Sequence, residues 1–97
     1  MRVELLEQAK NDLVDGYWFY EAQSPGVGGY FRDSLLADIE SLQLYAGVHR
    51  VVHGGCHRLL ARRFPFAVYY RIVDGTARVI AVLDCRREPA WIRSRLG

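Results

Sequence analysis

Near Gly47 the apolar residues of this chain change their period, and that change constrains the fold more than any other feature of the sequence. Before it they recur every three or four positions, and after it every second position, so the first half must bury helix faces and the second half a sheet. From Gln8 to about Gln23, the residues Leu6, Ala9, Leu13, Tyr17 and Tyr20 line one helical face, with Lys10, Asp12, Asp15 and Glu21 elsewhere. Ser24-Pro25-Gly26-Val27-Gly28-Gly29 cannot continue that helix, because proline lacks the donor and the glycines favour turns. A second helix is predicted from about Gly29 to Tyr45, with Phe31, Leu35, Ile39, Leu42 and Ala46 on its buried face. The two helices form an antiparallel hairpin. Ahead of them, Val3-Glu4-Leu5-Leu6 reads as an opening strand or as the first turn of the helix that follows.

After Gly47 the stretch Val48 to Cys56 reads as a loop or short extended piece, and His57 to Arg63 as a strand. Phe64-Pro65 marks a turn, and Phe66 to Val73 a long strand rich in β-branched and aromatic residues. Asp74-Gly75 is a strong signal for a two-residue hairpin, since both central positions of a type I′ turn need positive φ. The return strand is Thr76 to Asp84. Phe66, Val68, Tyr70 and Ile72 are expected on one face, with Val79, Ala81 and Leu83 beside them under the helical hairpin. Cys85-Arg86-Arg87-Glu88 leads into a short C-terminal segment, where Pro89 suits a first helical position and Trp91 is placed to anchor the tail on the sheet. The order is β-α-α-β-β-β, an α+β fold with the hairpin packed on a mainly antiparallel sheet.

With 97 residues, 1–97 are expected to form a single domain. No apolar run approaches the roughly 18 residues of a membrane span, and the first residues lack the apolar core of a secretory signal, so no membrane association and a cytoplasmic location are expected. Two cysteines, Cys56 and Cys85, are too few for a disulfide framework. The net charge of +2 conceals an asymmetry: residues 1–48 carry three basic side chains against eight acids, a net of −5, whereas residues 49–97 carry ten arginines against three acids, a net of +7. Arginine in place of lysine favours bidentate contacts with phosphate or carboxylate, so phosphates or an acidic partner chain are the natural targets.

The run Arg62-Arg63-Phe64-Pro65-Phe66-Ala67-Val68-Tyr69-Tyr70-Arg71, then Asp74-Gly75, then Val79-Ile80-Ala81-Val82-Leu83-Asp84-Cys85-Arg86-Arg87-Glu88-Pro89, resembles the RelE/ParE superfamily of bacterial type II toxins, in its plasmid-stabilisation branch. Tyr17-Trp18-Phe19-Tyr20-Glu21 with Gln23-Ser24-Pro25-Gly26 resembles the helical hairpin of the same branch, so the likeness spans nearly the whole chain. The resemblance implies a RelE/ParE-like fold and a toxin held inactive by a cognate antitoxin, which itself binds operator DNA. It implies one of two activities: ParE-like poisoning of DNA gyrase, without catalysis, or RelE-like cleavage of mRNA on the ribosome.

Cleavage of RNA needs a proton-positioning group and cations for the phosphate. Aligned on the Tyr-Tyr-Arg strand and the Arg-Arg-Glu close, Arg58 and Arg87 fall where RelE-like members carry basic residues, and these two are the catalytic candidates under that reading. Leu60 stands at the position of a second strand lysine, Ala67 at that of an arginine and Arg93 at that of the C-terminal tyrosine. An arginine is a poor general base. The departures favour the ParE-like inhibitor, with Arg58, Arg62, Arg63, Arg71, Arg86, Arg87, Trp91 and Arg93 contacting the target. Trp18, Phe19, Arg62 and Arg71 are the antitoxin-contact candidates, because aromatic anchors dominate many interfaces. A nucleic-acid-binding module using the arginines on phosphates, or a degenerate toxin, is a third reading.

Each candidate has a plainer account. Arg58, Arg62, Arg63 and Arg71 alternate with apolar residues, as on a solvated sheet face that resists edge aggregation. Arg86 and Arg87 have Asp84 and Glu88 nearby as salt-bridge partners. His53, Cys56, His57 and Cys85 could be assembled into a zinc site, but His-x-x-Cys-His is a weak spacing, and no metal or other cofactor is expected. Gly26, Gly28 and Gly29 lie between two helices without a P-loop lysine and are turn residues.

Overall fold

A computed structural model describes residues Met1–Gly97. The opening residues form strand β1 (Arg2–Leu5), followed by α1 (Glu7–Gln23), α2 (Val27–Glu40) and a one-turn α3 (Leu42–Tyr45). The sheet continues with β2 (His57–Leu60), β3 (Phe66–Val73) and β4 (Thr76–Asp84), and the chain closes with α4 (Pro89–Leu96). The strand order is β1-β4-β3-β2, parallel between β1 and β4 and antiparallel elsewhere.

Two boundaries differ from the sequence reading. The second helix starts earlier and is interrupted at Ser41, whose hydroxyl donates to the Asp38 carbonyl at 2.6 Å and turns the chain before α3. β2 ends at Leu60 and not at Arg63, because the Arg62 amide leaves the sheet to donate to the buried Asp38 carboxylate. At the β3–β4 turn, Asp74 and Gly75 both take positive φ, 49° and 74°, as a type I′ hairpin requires.

The helical hairpin covers one face of the sheet. Phe31, Leu35, Ile39 and Leu42 pack there on Leu59, Phe66, Val68, Tyr70, Val79 and Val82. The helices cross closely because glycine lies at the contact: a Cβ on Gly16 would meet the Phe31 ring at 2.5 Å, and one on Gly28 the Tyr17 carbonyl at 2.6 Å. Phe31 stands at the centre of a ring cluster with Tyr20, Phe64 and Phe66, at centroid separations of 4.8 to 5.1 Å.

On β4 the expected alternation fails. Tyr69 pairs with Ala81 and Tyr70 with Val79, so Ile80 is an extra residue in a bulge. The bulge resets the phase: Ala81 and Leu83, expected under the hairpin, face the opposite side, and Val82 takes their place in the hairpin core. The second face is a smaller layer of Cys56, Ala67, Tyr69, Ala81 and Leu83, closed by Leu96 with Trp91 and Ile92 of α4.

Candidate functional site

The second face owes its shape to α4 and to the charged groups that hold it. Arg71 donates through Nε and Nη2 to the Gly54 carbonyl and through Nη2 to the Leu96 carbonyl, tying the tail to the turn before β2. Arg95 donates to Asp12 of α1 at 2.9 Å. Asp12, off the apolar face in the helical spacing, is nevertheless buried. β1 pairs with β4 only as far as Val79, and beyond it the same Asp12 oxygen accepts the Val82 amide at 3.0 Å. Burial raises the Asp12 pKa despite the amide and Arg95, so desolvation outweighs the attraction of the pair.

Between α4, β2 and the end of β4 these anchors leave a cleft of about 330 Å³. Arg58 reaches it from β2, Arg87 from the β4–α4 turn and Arg93 from α4, with His53, Tyr69 and Cys85 also on its wall. No acidic residue lines it. Arg87 is held in place by stacking, its guanidinium carbon 3.7 Å from the Trp91 ring centre. Arg58 lies directly across the strand pair from Tyr69. Neither Arg58, Arg87 nor Arg93 has a carboxylate within ion-pairing distance, whereas Arg32, Arg78, Arg86 and Arg95 each have one.

The structure thus gathers three of the eight arginines and tryptophan singled out as target contacts, Arg58, Arg87 and Arg93, at one place. Trp91 lies behind Arg87, and both also line a neighbouring groove with Asp12, Asp15, Asp84 and Phe19. Arg62 and Arg63 sit exposed in the β2–β3 connection, outside the cleft. Arg86 is engaged bidentately by Asp84, its Nη2 at 2.6 Å; the guanidinium holds the Asp84 carboxyl below the usual carboxylate range, and the carboxylate raises the Arg86 pKa. Arg71 makes the carbonyl contacts described above. The paired antitoxin candidates also separate: Trp18, 62% exposed, lines an apolar groove with Leu5, Leu13, Val14 and Leu36, while the Phe19 ring points to the groove beside Trp91.

The four zinc candidates do not meet. His57 stacks on the Tyr70 ring under the hairpin, whereas Cys56 and Cys85, both free thiols, lie on the other face. Burial raises both cysteine pKa values, which leaves the thiols protonated. His49 belongs with His57: its ring meets the Tyr70 hydroxyl, which also accepts the Gly47 amide at 2.9 Å. Burial, with His57 close by, lowers the His49 pKa.

Tyr69 and His53 were not among the sequence candidates for the cleft. Tyr69 shares strand parity with Ala67, and that parity was the available signal that it faces away from the hairpin. No helix is long and apolar enough to cross a membrane.

No protein-family model matches the chain, and no curated protein matches it. Among solved structures, a chain described as "Chromosomal ParDE TA system from P. aeruginosa" is similar to it with a TM-score of 0.79 and 21% sequence identity, over 84% of this chain and 92% of that one. The α+β, ParE-like fold expected from the sequence is the fold observed.

Proposed function

We propose that this protein is the toxin of a type II toxin–antitoxin pair, acting in the cytoplasm as a ParE-like inhibitor that binds DNA gyrase through the arginines of the second sheet face. The observation that carries this reading is the cleft where Arg58, Arg87 and Arg93 converge without a carboxylate among them. Three like charges so placed repel one another and none is ion-paired within the fold, so they suit an anion brought from outside. The shared fold with a ParDE chain supports the toxin assignment. Binding is favoured over catalysis because no carboxylate is present as a base and Ala67 lies buried beneath α4 without a functional group.

The cognate antitoxin is assigned to the Trp18 groove between α1 and α2. That groove is mostly apolar and carries Lys10 and Arg32 at its margin, a fit for an amphipathic segment with acidic flanks. Trp18→Ala is expected to weaken antitoxin binding at least tenfold without unfolding the toxin, and equal binding by isothermal titration would remove Trp18 from the interface.

A DNA supercoiling assay with purified toxin tests the target. Gyrase should lose supercoiling activity and regain it when antitoxin is added. Ribosome-dependent mRNA cleavage is the second reading, favoured by one observation: His53 and Tyr69 line the same cleft as Arg58 and Arg87. Unimpaired gyrase together with cut mRNA on translating ribosomes would replace the first reading with the second.

A further inference from the structure

We infer that residues 47–55 form a strap around the edge of the sheet, latched by Tyr70 and His49 on the hairpin face, and that protonating His49 releases the latch and loosens the cleft wall on the opposite face. The strap concerns what holds the cleft in shape and is independent of what occupies it. β2 is an edge strand, and the strap supplies partners for its outer side: the Arg58 amide donates to the Arg50 carbonyl at 2.9 Å, and the Val52 amide to the Cys56 carbonyl at 2.7 Å. Val51 forms an antiparallel bridge with His57. The strap turns sharply near both ends, where Gly47 has φ of 100° and Gly54 of 68°. Between these turns it passes from the hairpin face to the side covered by α4, against which Val52 packs.

Two consecutive residues of β3 grip its two ends. On the hairpin face the Tyr70 hydroxyl accepts the Gly47 amide at 2.9 Å and meets His49 Nδ1. The His49 carbonyl accepts from His57 Nδ1 at 2.8 Å, and the His57 ring stacks on that of Tyr70. On the other face Arg71 donates to the Gly54 carbonyl through Nε at 3.2 Å and Nη2 at 3.1 Å, and through Nη2 to the Leu96 carbonyl of α4. Val52 and His53, between the two grips, form part of the cleft wall. A short strap held at both ends by neighbouring residues of one strand moves as a unit, so a change at one grip reaches the other. His49 is the lever. Because the Tyr70 hydroxyl already accepts the Gly47 amide, it is free to donate to neutral His49. Once protonated, the same nitrogen is a second donor, and the hydroxyl proton is left without an acceptor. The groups facing His49 are the Tyr70 hydroxyl from β3 and the His57 ring from β2, with Arg50 beside it in the strap, and no carboxylate lies within ion-pairing distance. Burial and the nearby His57 lower the His49 pKa from its ordinary 6.5, so the strap is latched above about pH 6.5 and opens as pH falls toward the depressed folded value.

Native-state hydrogen exchange of the isolated, full-length protein tests the strap, followed by NMR between about pH 7.5 and about pH 5 and corrected for intrinsic exchange. The Val52 and Arg58 amides report on the strap, and Cys56, whose amide donates to the His53 carbonyl, reports on the cleft side. Val68 and Val79, fully buried in the sheet, report on global opening. In the wild type, opening at Val52, Arg58 and Cys56 should rise together and several-fold as pH falls, beyond any change at Val68 and Val79. The methyl resonances of Ile92, on the cleft wall, should shift with them. His49→Gln, whose side-chain oxygen can still accept from the Tyr70 hydroxyl, should remove this pH dependence. Tyr70→Phe, which keeps the ring, should raise opening at Val52 and at Cys56 about tenfold at neutral pH, as loss of part-buried hydrogen bonds implies. Arg71→Gln should raise opening at Gly47, on the face away from Arg71. Exchange in Tyr70→Phe that quickens at Gly47 alone would show two independent contacts and overturn the strap, as would a wild-type pH dependence that persists unchanged in His49→Gln. If Tyr70→Phe does not fold, His49→Gln and Arg71→Gln decide the matter by the same criteria. None of these readouts involves gyrase or the ribosome, so the strap and the target assignment can fail separately.

Discussion

The two faces of the sheet are covered by unlike means. Under the helical hairpin, Phe31, Phe66, Tyr20 and Phe64 interlock with aliphatic side chains, and cohesion comes from apolar area and close packing. Under α4 the layer is thinner, built on Ala67 and Ala81, and the covering helix is held by guanidinium groups on carbonyls and on one buried carboxylate. Small side chains beneath a short helix leave room for the cleft, and polar anchors hold α4 without filling it. The comparison teaches that stability and function have been divided between the faces: arginines spent on anchoring, Arg71 and Arg95, lie beside arginines with no ion-pair partner, Arg58, Arg87 and Arg93.

That division is open to breakage at four points. The largest effect is expected from Phe31→Ala, which should cost about 4 kcal/mol by urea unfolding, because the ring is fully buried and its neighbours come from both helices and the sheet. A loss below about 1 kcal/mol would mean that the hairpin face is not the main source of stability. Arg95→Ala should cost about 2 kcal/mol, less than a fully buried pair because the guanidinium is a quarter exposed. Hydrogen exchange should quicken in α4 and not in α1 or α2 if the anchor is local.

A smaller effect follows from pH. His49 has a folded pKa below its ordinary value of 6.5, so the unfolded chain binds the proton more readily. The contribution of neutral His49 is therefore complete above about pH 6.5 and is lost as pH falls through that value toward the depressed folded pKa. Protonation also fixes the ring nitrogen that meets the Tyr70 hydroxyl as a donor. Denaturation midpoints should decline across that window in the wild type and decline less in His49→Gln; parallel curves would exclude His49 as the cause. The smallest effect on stability is expected from replacing Arg58, Arg87 and Arg93 together with glutamine, within about 1 kcal/mol of the wild type, since these side chains have no ion-pair partner to lose and only the stacking of Arg87 on Trp91 is removed.

Much of the architecture was legible because it is local. The helical spacing of Phe31, Leu35, Ile39 and Leu42, the Asp74-Gly75 turn and Pro89 at the start of α4 act over a few residues, and each does in the structure what its chemistry dictates. The bulge at Ile80 was not legible, because Val79-Ile80-Ala81-Val82-Leu83 is apolar throughout and holds no polar residue to mark the phase. The burial of Asp12 was not legible for a related reason: both groups that make it tolerable, the Val82 amide and Arg95, are at least 70 residues away in sequence. The arginines of the site were visible as a set, but which of them are free depends on Gly54, Leu96, Asp84 and Asp12, and that is a property of the fold. Tyr69 was hidden by its neighbour, since two adjacent strand tyrosines look alike until parity sends one to each face.

The most direct test of the central claim is bacterial growth after induced expression of the chain without antitoxin, comparing the wild type with the Arg58→Gln, Arg87→Gln, Arg93→Gln variant at matched levels of folded protein. The account predicts that the wild type arrests growth and the variant does not. Arrest by the variant as complete as that by the wild type would contradict it.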